Sequence, residues 1–308
     1  MTAMEDFNFI QDEDKESVGT YVESVYSRSE KFIDMGIWHG IDKVNLRAWR
    51  NNFTTVDERY FSALVLDNLT YRTEDHVKSM LIDLFTIGIP NAFRLNDDEM
   101  YKTMRYSLSL LKNRKDIPVR IVNTNHAPTQ SSGYYVFMLN HVMGFHRDYF
   151  CKLDEIEAHY DKGIRHFILI DDIICSGEQI DTVLKQIEFQ KYKDVAFYIA
   201  ACAIHDDGMK LLGEKYPHVK YAYAEHLTQN VSFLDGVDYS YPVVCTRDIL
   251  DRFYKNMLKE KGFEARKPYG IIGMGLNYAF DKSVPNDSIA VLHLHNEHFN
   301  GLLKKRGS

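Results

Sequence analysis

Over residues 42–114 the apolar side chains recur every three or four positions. Leu46, Trp49 and Phe53 form one series, Phe61, Leu64, Val65, Leu66 and Leu69 a second, and Met80, Leu81, Leu84 and Phe85 a third. That period keeps them on one helical face, so the stretch predicts successive amphipathic helices. Thr73-Glu74-Asp75 and Asn96-Asp97-Asp98 read as helix starts, since short polar side chains accept bonds from free first-turn N–H groups. From Ile117 the texture changes. Compact apolar runs at 117–122, 167–170, 195–204, 221–224, 270–272 and 289–292 predict buried strands. Helical patterns fill 134–143, 180–190, 209–215 and 248–261. Buried strands alternating with helices imply βαβ units, hence an α/β fold with a mainly parallel sheet. The charged stretch 112–116 marks the expected boundary. The expected organisation is an acidic, flexible tail over 1–16, a helical module over 17–115, and an α/β domain over 116–308.

Composition narrows the partners. The 308 residues carry 37 Lys+Arg against 44 Asp+Glu, a net charge of −7, which opposes sequence-blind coating of nucleic acid. A local basic patch remains: Lys255, Lys259, Lys261, Arg266, Lys267 and the terminal Lys304-Lys305-Arg306. Its simpler reading is a solvated helix face and tail; its functional reading is nucleic-acid contact or self-association. The four cysteines form no CxxC pair, which points to a reduced, cytoplasmic setting. The longest apolar run, 195–204, is half the ~20 residues a membrane helix needs, so no membrane association is expected.

One segment concentrates chemistry. Phe167-Ile168-Leu169-Ile170 runs into Asp171-Asp172, and Ile173-Ile174-Cys175-Ser176-Gly177-Glu178-Gln179 then opens a helix. Two carboxylates at the carboxyl end of a parallel strand stand where open α/β sheets bind ligands. The loop and helix start after them offer backbone N–H groups to an anion. A ribose with a 5′-phosphate fits that pair of features. A Walker B strand is the first rival, but no GxxxxGK[ST] loop precedes it. A phosphoacceptor receiver and simple helix capping are the others. His205-Asp206-Asp207 and Glu225-His226 follow later strands onto the same rim, with Asp206 expected as a helix cap. His293, His295 and His298 lack defined metal spacing, and Gly273-Met274-Gly275 lacks a GxxG continuation.

The acid pair and its loop resemble the phosphoribosyl-diphosphate (PRPP) motif of type I phosphoribosyltransferases, and are closest in style to the hypoxanthine-guanine members. Gly270 to Tyr278 is similar to their late purine-holding strand and turn. The helical front with Trp49 and Phe53, together with Val284-Pro285-Asn286-Asp287-Ser288, resembles the phosphoribosyltransferase-like proteins of bacterial conflict and antiphage defence loci. The resemblance covers residues 117–294.

It implies that Asp171 and Asp172 hold the ribose hydroxyls, directly or through Mg²⁺, while Cys175, Ser176, Gly177, Glu178 and Gln179 wrap the 5′-phosphate. It puts a pyrophosphate loop within 123–133, where Ser131, Ser132 and Gly133 open the next helix, a position an ordinary N-cap explains equally well. Tyr269, Ile271 and Asn277 map to the base site. There are departures. Cys175 stands where those enzymes often carry an aspartate base, Glu178 and Gln179 replace small or hydroxyl residues, and Gly270 occupies the position of the stacking aromatic. The stretch 144–164 is too short for their long lid. Two functions follow. One is an enzyme acting at the anomeric carbon of PRPP or a nucleotide; the other is a non-catalytic ribose-phosphate sensor or scaffold. In either, the helical module would engage a protein partner, as a homo-oligomer or in a complex.

Overall fold

The computed structural model describes residues 9–113, 117–124, 131–264, 266–282 and 284–303. The terminal basic triplet and residues 114–116 and 125–130 lie outside the described residues. The chain forms two compact units, and they are not the two segments expected. One unit joins the residues up to Glu74 with those from Gln229 onward; the other spans Asp75–Thr228.

The first unit is mainly helical. The helix Lys15–Asp34 buries Val18, Val22, Val25, Tyr26 and Ser29, a stripe three or four residues apart. Asp42 caps Lys43–Arg50 by accepting from Asn45 N, and Thr55 with Glu58 forms a capping box on Val56–Asp67. A later helix, Arg247–Glu260, contributes Tyr254, whose ring stacks on Phe61 at 4.8 Å. A three-residue strand β1 (Thr70–Arg72) pairs in parallel with a distant strand, Tyr278–Phe280. Trp49 is fully buried and its indole N–H donates to Val291 O at 3.1 Å. These long-range ties draw the C-terminal quarter into this unit, which corrects the boundary at 115/116. The acidic tail is also corrected from residue 9 onward. Phe9 N and Ile10 N both donate to Asp57 Oδ1, at 2.7 and 3.0 Å, and the long helix begins at Lys15.

The second unit carries the sheet. Its strands are β2 (Val119–Asn123), β3 (Phe150–Lys152), β4 (His166–Ile174), β5 (Ala196–His205) and β6 (Lys220–Leu227), all parallel in the order β3-β2-β4-β5-β6. The Tyr278–Phe280 strand is β7. Helical residues 75–113 belong here because they pack on this sheet: Phe93 lies flat on Tyr198, 4.0 Å between centroids. Two expected strands are absent. Residues 270–272 form a bend with Gly270 at φ +85°, and Ala290–Leu292 is a 3-10 turn. Conversely, β3 lies within 144–164, where no strand was expected. Among the described residues, no helix is long and apolar enough to cross a membrane.

Candidate ligand site at the end of the central strand

Strand β4 runs through the acid pair and ends at Ile174, so Asp171 and Asp172 are the sixth and seventh of its nine residues. The strand following β2 lies to one side of it, at the sheet edge, while β4 lies to the other. The strand order therefore reverses between β2 and β4, the kind of switch point at which open α/β sheets form their ligand crevice. Thr124, just past β2, is buried and its hydroxyl donates to Ile170 O at 3.2 Å, holding the start of the next loop against the strand that bears the acids.

The acids are almost covered, at 3% and 7% exposure. Asp171 Oδ1 accepts from Asp172 N, and Asp172 Oδ1 from Ile173 N, both at 2.9 Å. Burial pushes the Asp171 carboxyl well above the usual carboxylate range, and the Asp172 charge and the bond between the two side chains add to it. Cys202 on β5 is fully buried; burial, then Asp172, Asp171 and Glu225, raise its thiol, while the Tyr135 hydroxyl bonded to it opposes. Sequence reasoning passed over Cys202, Tyr135 and Thr124, because nothing in their local spacing sets them apart.

The loop beyond β4 turns at Gly177, whose φ of +85° favours glycine. A β-carbon there would stand 3.2 Å from Leu211. Ser176 Oγ accepts from Glu178 N at 3.3 Å, and the helix Glu178–Leu184 follows. Glu178 and Gln179 are exposed, whereas Cys175 is 9% exposed. The first-turn N–H groups of a helix lack intrahelical partners and are suited to an anion. The carboxylate of Glu178, on the solvent side, need not face that anion. The helix after the loop is tied to the end of Asp206–Lys215: Asp181 takes the Tyr216 hydroxyl at 2.8 Å and Lys215 at 3.2 Å, and Lys185 at its own helix end at 2.7 Å. Those donors, Lys185 foremost, lower the Asp181 carboxyl to about 2.

Among the described residues, no group of three or more His, Cys, Asp or Glu side chains could hold a metal alone. Two carboxylates suit Mg²⁺ that arrives with phosphate oxygens of its own ligand, which is how that ion is commonly held.

These features meet a wider similarity. A family model, PRTase-CE, matches residues 46–305. The chain belongs to this phosphoribosyltransferase-like family. No curated protein matches. Among solved structures the chain is similar to the AQ2163 protein from Aquifex aeolicus, at 16% identity. That match covers 20% of this chain and 29% of the other, with a TM-score of 0.19, too slight to bear on the fold.

In this PRTase-CE chain the remaining expected site residues are distributed unevenly. Ser131 begins the helix Ser131–Phe137, which carries Ser132 and Gly133 and packs on β4; the side chains of the two serines lie outside the described residues, like the loop before them. Tyr269, Ile271 and Asn277 belong to the other unit. Ile271 is 53% exposed. The Tyr269 hydroxyl donates to Asp251 at 2.6 Å, and the buried Asn277 donates its amide to Val65 O at 2.8 Å. At Gly270 no side chain fits: a β-carbon there would stand 2.3 Å from Asp287 Cα. On the rim, the cap of Asp206–Lys215 is His205, whose Nδ1 accepts from Asp207 N at 3.2 Å, and not Asp206. Asp206 instead meets His226 Nε2 at 2.7 Å.

Proposed function

We propose that this PRTase-CE protein binds PRPP or a nucleotide with Mg²⁺ at the carboxyl ends of β2 and β4, and transfers or cleaves the bond at the anomeric carbon. The observation that carries the reading is the buried Asp171–Asp172 pair followed at once by the Gly177 turn. The carboxylates would take the ribose 2- and 3-hydroxyls, the loop 175–179 the 5′-phosphate, and the loop after β2 the pyrophosphate. Bound Mg²⁺ would supply charge neutralisation on the leaving oxygens. The chain's own part is orientation: a rigid strand end and a glycine turn fix sugar and phosphate while an oxocarbenium-like state forms. The resemblance to conflict-locus proteins supports reading such chemistry as that of an antiphage effector in the cytoplasm.

A second reading has its own support. Cys175, at the position of the family's base, is nearly covered, and Glu178 and Gln179 offer no hydroxyl to a phosphate. A sensor or scaffold that holds the ligand without turning it over fits those facts. Calorimetry with PRPP and Mg²⁺ tests the shared core: wild type binds, and Asp172→Asn loses about tenfold or more in affinity. No binding by wild type sinks both readings. Pyrophosphate release on a turnover timescale then separates enzyme from sensor.

A further inference from the structure

A cavity of about 510 Å³ opens at the amino end of the sheet, where β4 and β5 begin. We propose that it is a binding site for a nucleoside monophosphate, separate from the site at the carboxyl end. The volume lies within the ~300–1,000 Å³ of small-molecule pockets.

The polar lining is asymmetric. Both carboxylates are already engaged: Asp98 Oδ2 meets His166 Nε2 at 2.7 Å and accepts from the Tyr198 hydroxyl at 2.9 Å. Asp194 takes Arg165 at 2.6 Å and the Tyr160 hydroxyl at 3.0 Å. Lys193 and His218, also in the lining, have no ion-pair or hydrogen-bond partner among the described residues. Of the Asp, Lys, Arg and His side chains in the lining, the uncommitted ones are thus Lys193 and His218, which can donate to an anion. Beside these groups stand aromatic rings. His218 packs edge-on to Phe189, 4.8 Å between centroids, and Tyr192 is half-buried in the same wall. Flat apolar surface next to a free cation matches a planar base joined to a phosphate. Such a ligand does not compete for Asp171, because β4 carries that residue five positions beyond His166, about 16 Å along the strand. The site can thus register a nucleotide without consuming it.

The test is calorimetric titration of the full chain with AMP, in the Asp172→Asn background so that binding at the carboxyl end is weakened. The expected result is one AMP bound, with affinity reduced about tenfold or more when Lys193→Glu and His218→Ala are added. Both residues are exposed, so the substitutions leave the core intact. Inorganic phosphate and adenosine each bind more weakly than AMP, since each uses half the site. Absence of AMP binding in Asp172→Asn overturns the proposal, as does unchanged affinity in the triple variant. Wild-type chain that ignores PRPP while Asp172→Asn still takes AMP supports this site and strikes only the proposed function.

Discussion

Gly208 meets Ile174 so closely that a β-carbon on the glycine would stand 2.7 Å from Ile174 Cγ2, and 2.8 Å from Cys175 O. The first turn of Asp206–Lys215 is thus seated directly on the end of β4 and the start of the loop that follows it. Gly208→Ala has to move either the helix or the loop, at about 1–3 kcal/mol. Gly213→Ala in the same helix meets nothing within 4 Å and should stabilise by about 0.5–1 kcal/mol. Urea unfolding of both variants, alongside PRPP titration, checks the pair. Opposite signs in stability, with ligand binding weakened only in Gly208→Ala, are expected.

Asp171 predicts a trade of stability against binding. A carboxyl whose folded pKa lies above its unfolded value holds its proton more tightly when folded. Raising the pH through that interval costs stability, and the cost is absent below the ordinary carboxyl range. Burial is the main cause here, with Asp172 second. Asp171→Asn should therefore stabilise the neutral-pH protein by about 0.5–2 kcal/mol. The gain should shrink as pH falls toward 4 and below. It should also lose PRPP binding. Denaturant midpoints across pH test this, and a variant less stable than wild type at neutral pH would refute it.

The acid pair and its loop were legible because everything that positions them is local: an apolar run, two acids, a glycine turn and a helix. The same rule misled at 270–272 and 289–292, which have apolar runs like a strand's. What distinguishes them is Gly270 at positive φ against Asp287, and a 3-10 turn, neither visible in hydropathy. The division into units was less legible still. Trp49 bonds Val291 and β1 pairs with β7, contacts more than two hundred residues apart that leave no periodic trace. The helix Lys15–Asp34 was legible in Val18, Val22 and Val25, but its acidic prelude drew attention to charge instead.

The N-terminal segment supplies a third prediction. Asp57 is buried and one of its oxygens takes both Phe9 N and Ile10 N. Asp57→Ala leaves two backbone donors without their acceptor, a loss of about 1–3 kcal/mol. Limited proteolysis should then cut near residues 9–14 faster than in wild type, while the sheet unit stays protected. Equal cutting rates would mean the carboxylate does not hold the segment.

Asp181 predicts the opposite pH sign to Asp171. Its carboxyl is lowered to about 2, first by Lys185, then by Tyr216 and Lys215. A depressed folded pKa gives stability that is present above the unfolded value and lost as pH falls through the folded one. Both lysines are more than half exposed, so solvent screens the pairs and the contribution is at most about 1 kcal/mol. Asp181→Asn should destabilise at pH 7, and the difference should fade between about pH 4 and pH 2. Because Asp181 ties Glu178–Leu184 to Asp206–Lys215, the variant should also speed amide exchange in the first of these helices. Loss of stability without faster exchange there would place the effect in the ion pairs alone, and remove Asp181 from the support of the loop after β4.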